Sequence, residues 1–377
     1  MIYKEFKGKK LSSLGLGCMR LPTVDGKDNQ IDEAKTAEMV EYAMQNGINY
    51  YDTAWGYHGG ESELTMGRVL KKYPRESFYL ASKFPGFSLE NVQNVKGIFE
   101  KQLEKCQVEY FDFYLFHCVC DNNLEWYLDP KFGIMDYLLE QKKNGRIKHL
   151  GFSAHIDMPG FKRFVDAYCE HIEFVQLQIN WLDWTYQNAK EKVEYLAERN
   201  IPVWVMEPVR GGRLAKLNPA YESQLKQLMP DYSVCEWAFR FLQGIPEIVV
   251  TLSGMSNFEQ LKENVQIYQT EQKLSKNNLE VLERIANEMT NNKTLMCTAC
   301  RYCVEKCPQQ LDIPQIIKLF NEHTFTGGRF NATVAVSALP EDKRPADCIE
   351  CRSCEAVCPQ GIKISEAMKE FNKTLRG

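Results

Sequence analysis

A repeated cysteine pattern near the C-terminal end is the feature that most restricts how this chain can fold. Eight of the 14 cysteines fall between residues 297 and 377, in the segments CTACRYCVEKCP and CIECRSCEAVCP. Such regular spacing is typical of ligands that hold a metal centre. Both segments read C-x2-C-x2-C-x3-C-P, with the cysteines at Cys297, Cys300, Cys303, Cys307, Cys348, Cys351, Cys354 and Cys358.

Composition and charge place the chain among ordinary globular proteins. Hydrophobic residues make up 44% and charged residues 25%, which excludes a disordered, collagen-like or coiled-coil chain. The formal net charge of −4 offers no basic footprint for nucleic acid or anionic lipid. The sequence shows neither a secretion signal nor a run of about 18 apolar residues, so we expect a cytoplasmic protein. In that reducing compartment clustered cysteines are more often ligands than disulfides.

The cysteine spacing matches the run of bacterial ferredoxins. There the first three thiolates hold one 4Fe-4S cluster, and the fourth cysteine serves the other cluster. A zinc ion needs only four ligands and would not favour the third cysteine of each motif. By the crossed rule, one cluster would take Cys297, Cys300, Cys303 and Cys358, and the other would take Cys348, Cys351, Cys354 and Cys307.

The connection between the two motifs departs from a compact bacterial ferredoxin. Cys307 and Cys348 are 41 positions apart, and the connection contains a helix-like stretch, IPQIIKLFNEH, followed by a glycine-containing turn, TGGRF. The segment therefore resembles either a ferredoxin with an insertion or the more helical dicluster ferredoxin domains. We predict a small, mainly helical, ferredoxin-like iron–sulfur domain over residues 291–377.

The first 290 residues alternate short apolar runs with amphipathic segments, which predicts a parallel sheet covered by helices. Eight such units in about 250 residues favour a closed, eight-stranded parallel β/α (TIM) barrel. The dinucleotide fingerprint G-x-G-x-x-G is absent. The residues before the first run are expected to form a hairpin that plugs one end of the barrel. The predicted strands cover residues 14–21, 48–54, 78–84, 111–117, 147–155, 174–180, 202–208 and 247–254.

Polar side chains follow three consecutive predicted strands. Asp52, Lys83 and His117 lie at the carboxyl ends of the second, third and fourth strands, and Tyr57 lies in the loop after Asp52. Active sites of β/α barrels lie at the carboxyl ends of the strands. Taken singly, these residues could be a helix cap, a solvated strand end or a core histidine. Together they predict a catalytic site.

The sequence around these residues resembles the aldo-keto reductase family. The stretch YDTAWGYHGGESELTMG is similar to the family signature, and LASKF and YLFHC match its lysine and histidine blocks. The blocks GLGCMRLP and GMSNFEQLKEN are also similar to family blocks. The resemblance covers residues 1 to about 285. It extends to a bacterial branch of the family that carries a C-terminal iron–sulfur domain.

This resemblance implies nicotinamide-dependent reduction of an aldehyde or ketone, or the reverse oxidation of an alcohol. Tyr57 would be the proton donor, and His117 would orient the substrate carbonyl. Lys83, paired with Asp52, would make the phenol a better acid, because a neighbouring ammonium favours the phenolate.

The resemblance also implies cofactor contacts. Ser153 and Gln176 would hold the nicotinamide carboxamide, although the family asparagine after the serine is replaced by Ala154, and His155 could compensate. Met206 or Glu207 would stack on the nicotinamide. Gly254 and Gln260 stand where many members have a basic residue, which leaves NADP or NAD open, with Arg213 or Lys262 as substitutes. The other implied contacts are Gly211, Gly212 and Leu214 at the pyrophosphate and Ser256, Gln260 and Asn264 at the adenine end.

The cysteine motifs leave competing functions open. A hydride carries two electrons, whereas each cluster carries one, so a flavin could share the barrel site. In a reductase of this kind the ferredoxin-like domain would exchange single electrons with a redox protein partner. A second hypothesis makes the chain primarily an electron-transfer or interaction protein, in which the barrel binds nicotinamide or flavin and the clusters are the main functional centre. A third makes the clusters purely structural. The expected substrate is a small carbonyl or alcohol compound, and Trp55, Trp126 and Trp181 would give it an aromatic pocket.

Overall fold

The chain divides into two units. The computed structural model describes residues 1–120, 123–291, 294–326, 336–337 and 339–376. Met1–Val209 and Ala215–Val281 form the first unit, and Arg210–Leu214 and Leu282–Gly377 form the second. The predicted boundary at residue 290 stays a prediction, and this division falls within a helix. The predicted turn at 326–330 lies outside the described residues, except for the backbone of Thr326.

The first unit contains the predicted barrel, and each predicted strand is present. The closed order is β10-β3-β4-β5-β6-β7-β8-β9, and all neighbouring strands are parallel. All nine residues of β6 are buried, as expected for a parallel strand covered on both faces. The barrel strands are β3 (Leu14–Gly17), β4 (Tyr50–Asp52), β5 (Tyr79–Phe84), β6 (Phe111–Val119), β7 (Ile147–Ala154), β8 (Phe174–Gln178), β9 (Val203–Met206) and β10 (Ile248–Ser253).

The predicted N-terminal hairpin closes the end of the barrel at which the strands begin. Its strands, β1 (Tyr3–Phe6) and β2 (Lys9–Ser12), pair antiparallel. Phe6 and Leu11 are buried in one cluster with Trp204 and Phe113, and the rings of Phe6 and Trp204 lie 5.1 Å apart. Because this end is filled, the opposite end is the one available for a site.

Helices cover the barrel, and several of them begin at capping side chains. Asp32, Asp157 and Asn257 each accept a hydrogen bond from the backbone N–H three residues later. The helices up to residue 291 are α1 (Glu33–Gln45), α2 (Glu61–Leu70), α3 (Leu89–Gln93), α4 (Val95–Cys106), α5 (Leu124–Leu128), α6 (Ile134–Lys143), α7 (Met158–Tyr168), α8 (Asp183–Tyr186), α9 (Ala189–Ala197), α10 (Pro219–Leu228), α11 (Val234–Gln243), α12 (Phe258–Ile267) and α13 (Lys276–Asn291).

The second unit is mainly helical. Its helices after residue 291 are α14 (Tyr302–Glu305), α15 (Ile313–Thr326), α16 (Ser353–Ala356) and α17 (Ile364–Arg376). Apolar residues of α15 and α17, including Ile316, Phe320 and Phe371, form its core, and the cysteine loops pack against that core. In the described part of the chain, no helix is long and apolar enough to cross a membrane.

The two cysteine motifs share a backbone conformation. Cys297 and Cys348, the first cysteines of the two copies, are 51 residues apart, and left-handed backbone positions recur at the same offset. A short helix begins directly after a left-handed arginine in each copy. Both segments therefore form the same loop, and the paired left-handed residues are Ala299 and Glu350, Arg301 and Arg352, and Gln310 and Gly361.

Candidate active site

Three neighbouring strands bring the predicted catalytic side chains together. Asp52 ends β4, Lys83 lies in β5 and His117 lies in β6, while Tyr57 begins a short 3-10 helix after β4. The ammonium Nζ of Lys83 donates hydrogen bonds to Asp52 Oδ1 at 2.5 Å and to the hydroxyl of Tyr57 at 3.2 Å. The rings of Tyr57 and His117 have centroids 5.7 Å apart. The four side chains thus form one contiguous group.

Burial and pairing fix the charge of Lys83. Its side chain is fully buried, and its Nζ also donates to the backbone carbonyl of Thr53 at 2.8 Å. Burial alone would lower the pKa of Lys83, but Asp52 and Tyr57 outweigh burial and raise it. For Asp52, burial raises the pKa and Lys83 opposes that rise. Lys83 and Asp52 form a buried ion pair, since Nζ of the lysine lies 2.5 Å from Oδ1 of the carboxylate.

The phenol of Tyr57 holds its proton more tightly than the sequence suggests. Burial raises the pKa of Tyr57 to about 12, Lys83 lowers it, and the Asp52 carboxylate raises it again. The expected lowering by Lys83 is therefore present but smaller than the effect of burial. The pKa of His117 is well below its usual value because of burial, with Lys83 and His155 acting in the same direction. His117 is consequently a neutral imidazole at neutral pH.

These pKa values predict the pH dependence of carbonyl reduction. Burial raises the pKa of Tyr57 to about 12, so the acid form persists past pH 10, where a free tyrosine is already about half ionised. We expect kcat/KM for reduction to show no basic limb from Tyr57 between neutral pH and about pH 10, since this profile reports the free enzyme. Steady-state rates across that range test the expectation, and a loss of rate with a midpoint near pH 8 would contradict it.

Tyr127 supports the site, and sequence reasoning missed it. Its hydroxyl donates to the backbone carbonyls of His117 at 2.9 Å and Phe84 at 3.1 Å and accepts from the N–H of Gly86 at 2.9 Å. Tyr127 lies in α5 and is 1% exposed. In the sequence Tyr127 follows Trp126, and nothing local indicates hydrogen-bond partners about 40 residues earlier, at Phe84 and Gly86. Tyr127 holds the ends of β5 and β6 in register.

A buried polar network lies behind Lys83. Glu63 is fully buried and accepts hydrogen bonds from Ser82, Gln102 and Lys105 at 2.6, 2.6 and 2.8 Å. Gln102 also donates to the backbone carbonyl of Lys83 at 3.0 Å. Because every member has a partner, this network fixes the backbone of β5.

The ends of β7 and β8 carry the residues predicted to hold a nicotinamide carboxamide. Ser153 and Gln176 are 2% exposed and occupy paired positions in the two strands. Ser153 Oγ accepts the backbone N–H of Cys118 at 2.8 Å. Among the described residues, Gln176 Oε1 and His155 Nδ1 are buried atoms without a hydrogen-bond partner. An unpartnered buried acceptor suits an incoming amide, so these residues are suitable for a carboxamide.

The predicted adenine end lies in the loop after β10. Ser256 N donates to Gln260 Oε1 at 2.8 Å, and Asn264 Nδ2 donates to Ser253 Oγ at 3.0 Å. A side chain at Gly254 would meet Arg20 at 3.1 Å, so Arg20 is a basic residue at this loop that sequence reasoning did not identify. Lys262, the suggested substitute, lies over the ring of Phe258.

The remaining predicted contacts are divided between the units. Met206 ends β9, and Glu207 follows it with a left-handed backbone, its carbonyl accepting from Asn180. Gly211, Gly212 and Leu214, predicted at a pyrophosphate, belong to the second unit. Among the described residues, no contact joins the three predicted pocket tryptophans around a common pocket, and Trp181 is 3% exposed. Their binding roles stay predictions.

Four cysteines of the second unit, those of one predicted crossed set, lie around a common site. Cys307, Cys348, Cys351 and Cys354 line one concave site, with Ile364 and Met368 at its apolar side. Burial raises the pKa of the Cys303 thiol, and the nearby thiols of Cys300, Cys297, Cys358 and Cys354 raise it further. The cysteine-lined site and these neighbours suit two four-thiolate sites, although no group of three or more His, Cys, Asp and Glu in the described ranges is arranged to hold a metal ion.

Comparisons with known proteins agree with both units. The sequence model of the aldo/keto reductase family matches residues 13–287, and that of a 4Fe-4S dicluster domain matches residues 296–363. The chain is 29% identical over 214 residues to a probable aldo-keto reductase 1 of Glycine max, covering 55% of this chain and 58% of that protein. It is 23% identical over 301 residues to an NADH-specific methylglyoxal reductase of Escherichia coli, covering 68% and 89%.

A solved structure supports the fold. An aldo-keto reductase from Klebsiella pneumoniae in complex with NADPH superposes with a TM-score of 0.59 at 17% identity, covering 76% of this chain and 96% of that chain. The family match spans most of the chain, and the polar group at the strand ends lies within it. The chain therefore belongs to the aldo/keto reductase family, as an NAD(P)H-dependent oxidoreductase that carries a C-terminal 4Fe-4S dicluster domain.

Proposed function

We propose that this protein reduces a small aldehyde or ketone with a hydride from NADPH or NADH, and that Tyr57 donates the proton. The observation that carries the proposal is one buried ammonium, Lys83 Nζ, bonded to both Asp52 and the Tyr57 hydroxyl. A charged group held between a carboxylate and a phenol is suited to stabilising the phenolate that remains after proton transfer.

The proposed reduction consumes one hydride and one proton for each carbonyl group. A bound reduced nicotinamide would supply the hydride, whose electron pair would form the new C–H bond at the carbonyl carbon, and would thereby be oxidised. The carbonyl π pair moves to the oxygen, which takes the proton from Tyr57. The ammonium of Lys83 stabilises the phenolate until solvent returns a proton, and the neutral imidazole of His117 donates a hydrogen bond to the substrate oxygen. The product is an alcohol.

Three residues are proposed to orient the nicotinamide. Gln176 offers an unpartnered acceptor, Oε1, to the carboxamide NH₂, and Ser153 offers its hydroxyl beside it. His155 takes the place of the family asparagine. Burial lowers the pKa of His155 to about 3, and Lys192 acts in the same direction. The ring is therefore neutral and adds no charge beside the nicotinamide.

The second unit is proposed to hold two 4Fe-4S clusters in the crossed sets. Cys297, Cys300, Cys303 and Cys358 would hold one cluster, and the other set would hold the second. Cys351 is exposed, and Ile349, two residues before it, is 57% exposed, so the second cluster would lie near the surface of the unit. That placement supports electron exchange with a redox protein, and a flavin would be needed to divide a hydride pair into single electrons.

One anaerobic preparation tests this proposal. Iron, sulfide and flavin are quantified, and NADPH and NADH oxidation is then followed with and without a panel of small aldehydes and ketones. We expect about eight iron atoms per chain and nicotinamide oxidation that depends on the carbonyl compound. Cluster reduction by nicotinamide alone, without turnover of any carbonyl compound, would instead favour the electron-transfer function.

A further inference from the structure

Arg210 is a fully buried arginine that connects two distant segments of the second unit. Its guanidinium donates from Nη1 to the backbone carbonyl of Met296 at 2.5 Å and from Nη2 to Gln360 Oε1 at 2.8 Å. Its side chain has no exposed surface, and its backbone is left-handed with φ of 49°. Burying a guanidinium costs free energy unless its donors are satisfied. The burial of Arg210 therefore points to a specific role and not to general packing.

The two partners of Arg210 lie beside cysteines of the same crossed set. Met296 directly precedes Cys297, and Gln360 lies two residues after Cys358. Cys297 and Cys358 come from different motifs, so a single planar group joins the two loops that must meet around one cluster. An arginine suits this task because its rigid fork presents two donors in fixed directions.

The residues after Arg210 strengthen the connection to the first loop. A side chain at Gly211 would lie 2.1 Å from the backbone carbonyl of Thr298, so the two backbones are in close contact. Arg213 donates to the backbone carbonyl of Leu295 at 2.9 Å. The short segment 210–214 is therefore bound along residues 294–298, immediately around the first cysteine ligand.

We propose that Arg210 is a positioning residue for the cluster of Cys297, Cys300, Cys303 and Cys358, and that its charge keeps the reduction potential of that cluster above the value it would otherwise have. The potential of an iron–sulfur cluster depends on nearby charge and hydrogen bonding. This proposal rests on the two-cluster assignment above. It makes the two clusters unequal in how their loops are joined. The site of Cys348, Cys351, Cys354 and Cys307 is lined by Arg352, an arginine of its own loop, but among the described contacts no arginine from outside the two motifs joins its two loops.

The test compares Arg210→Gln, which removes the charge, with Arg210→Lys, which keeps the charge but loses the fork. Arg163→Gln is the control, since Arg163 is an exposed arginine of the first unit. Iron and sulfide content and the potential of each cluster are measured on anaerobic full-length protein by redox titration followed by electron paramagnetic resonance. The unaltered second cluster serves as an internal reference.

In Arg210→Gln we expect one cluster to titrate at a lower potential or to be lost, while the other keeps its wild-type potential. In Arg210→Lys we expect that cluster to be less completely loaded, with a potential near wild type where it is present. Two wild-type clusters in both variants, or equal shifts of both, would overturn the proposal. If Arg210→Gln does not fold, the iron and sulfide content of Arg210→Lys decides: two fully loaded clusters in that variant would overturn the proposal. A wild-type protein with fewer than two clusters would instead refute the two-cluster assignment.

Discussion

Replacing Tyr57 by phenylalanine is expected to lower kcat for carbonyl reduction by about 10²- to 10⁴-fold, the range for loss of a general acid. Tyr57 is 8% exposed, and its hydroxyl contacts Lys83 Nζ at 3.2 Å, so phenylalanine keeps the ring packing and removes only the proton donor. Nicotinamide binding should persist, because the proposed carboxamide contacts are on β7 and β8. Single-turnover rates and nicotinamide fluorescence titrations measure the two effects separately.

Tyr3→Phe is the matched control for this substitution. The Tyr3 hydroxyl bonds to the backbone of Gly47 at 3.0 Å, and Tyr3 belongs to the hairpin at the opposite end of the barrel. We expect wild-type kcat in Tyr3→Phe. A Tyr57→Phe enzyme that reduces carbonyls at near wild-type rate would show that another group donates the proton.

Replacing Cys358 by alanine is expected to remove one of two clusters and to lower iron from about eight to about four atoms per chain. The physical reason is that the fourth thiolate of a cluster comes from the other motif. Because Cys307 of the first motif lines one site with Cys348, Cys351 and Cys354 of the second, Cys358 is left for the other set, and the cluster lost should be the one that Cys297→Ala also removes. Mössbauer spectra and iron analysis of the two variants provide the comparison.

Cys169→Ala controls for the loss of a thiol, since Cys169 is an exposed cysteine of the first unit outside both motifs. It should retain all the iron of the wild type. Uncrossed ligation predicts a different pairing, in which Cys358→Ala resembles Cys348→Ala and not Cys297→Ala. That result would refute the crossed sets while leaving two clusters in place.

The sequence predicted the barrel well because its strands carry a local signal. Runs such as FDFYLFH are mostly apolar, with no regular alternation of apolar and polar residues, as expected for a strand buried on both faces. The group of Asp52, Lys83 and His117 followed from the same reasoning, since strand ends of a parallel barrel meet at one edge. Both predictions required only the order of strands and helices along the chain and did not require distances between residues.

Other features depended on distances that no local pattern encodes. The sequence suggested that Lys83 would make Tyr57 a better acid, but burial has the larger effect on the pKa of Tyr57. Tyr127 supports the site through partners far away in the chain. The segment 210–214 follows a barrel strand, yet its contacts assign it to the second unit. The pKa of Tyr57, the role of Tyr127 and the placement of residues 210–214 all depend on burial and on contacts between residues far apart in the chain.

Direct hydride transfer at the Tyr57 site is tested most directly with NADPH or NADH carrying deuterium on the hydride-donating carbon of the nicotinamide. The wild-type protein is incubated anaerobically with the deuterated cofactor and a carbonyl substrate that it turns over, and the alcohol is analysed by mass spectrometry. We predict one deuterium on the former carbonyl carbon of the product. An alcohol whose new hydrogen comes only from solvent would contradict direct transfer and would place the clusters or a flavin between nicotinamide and substrate.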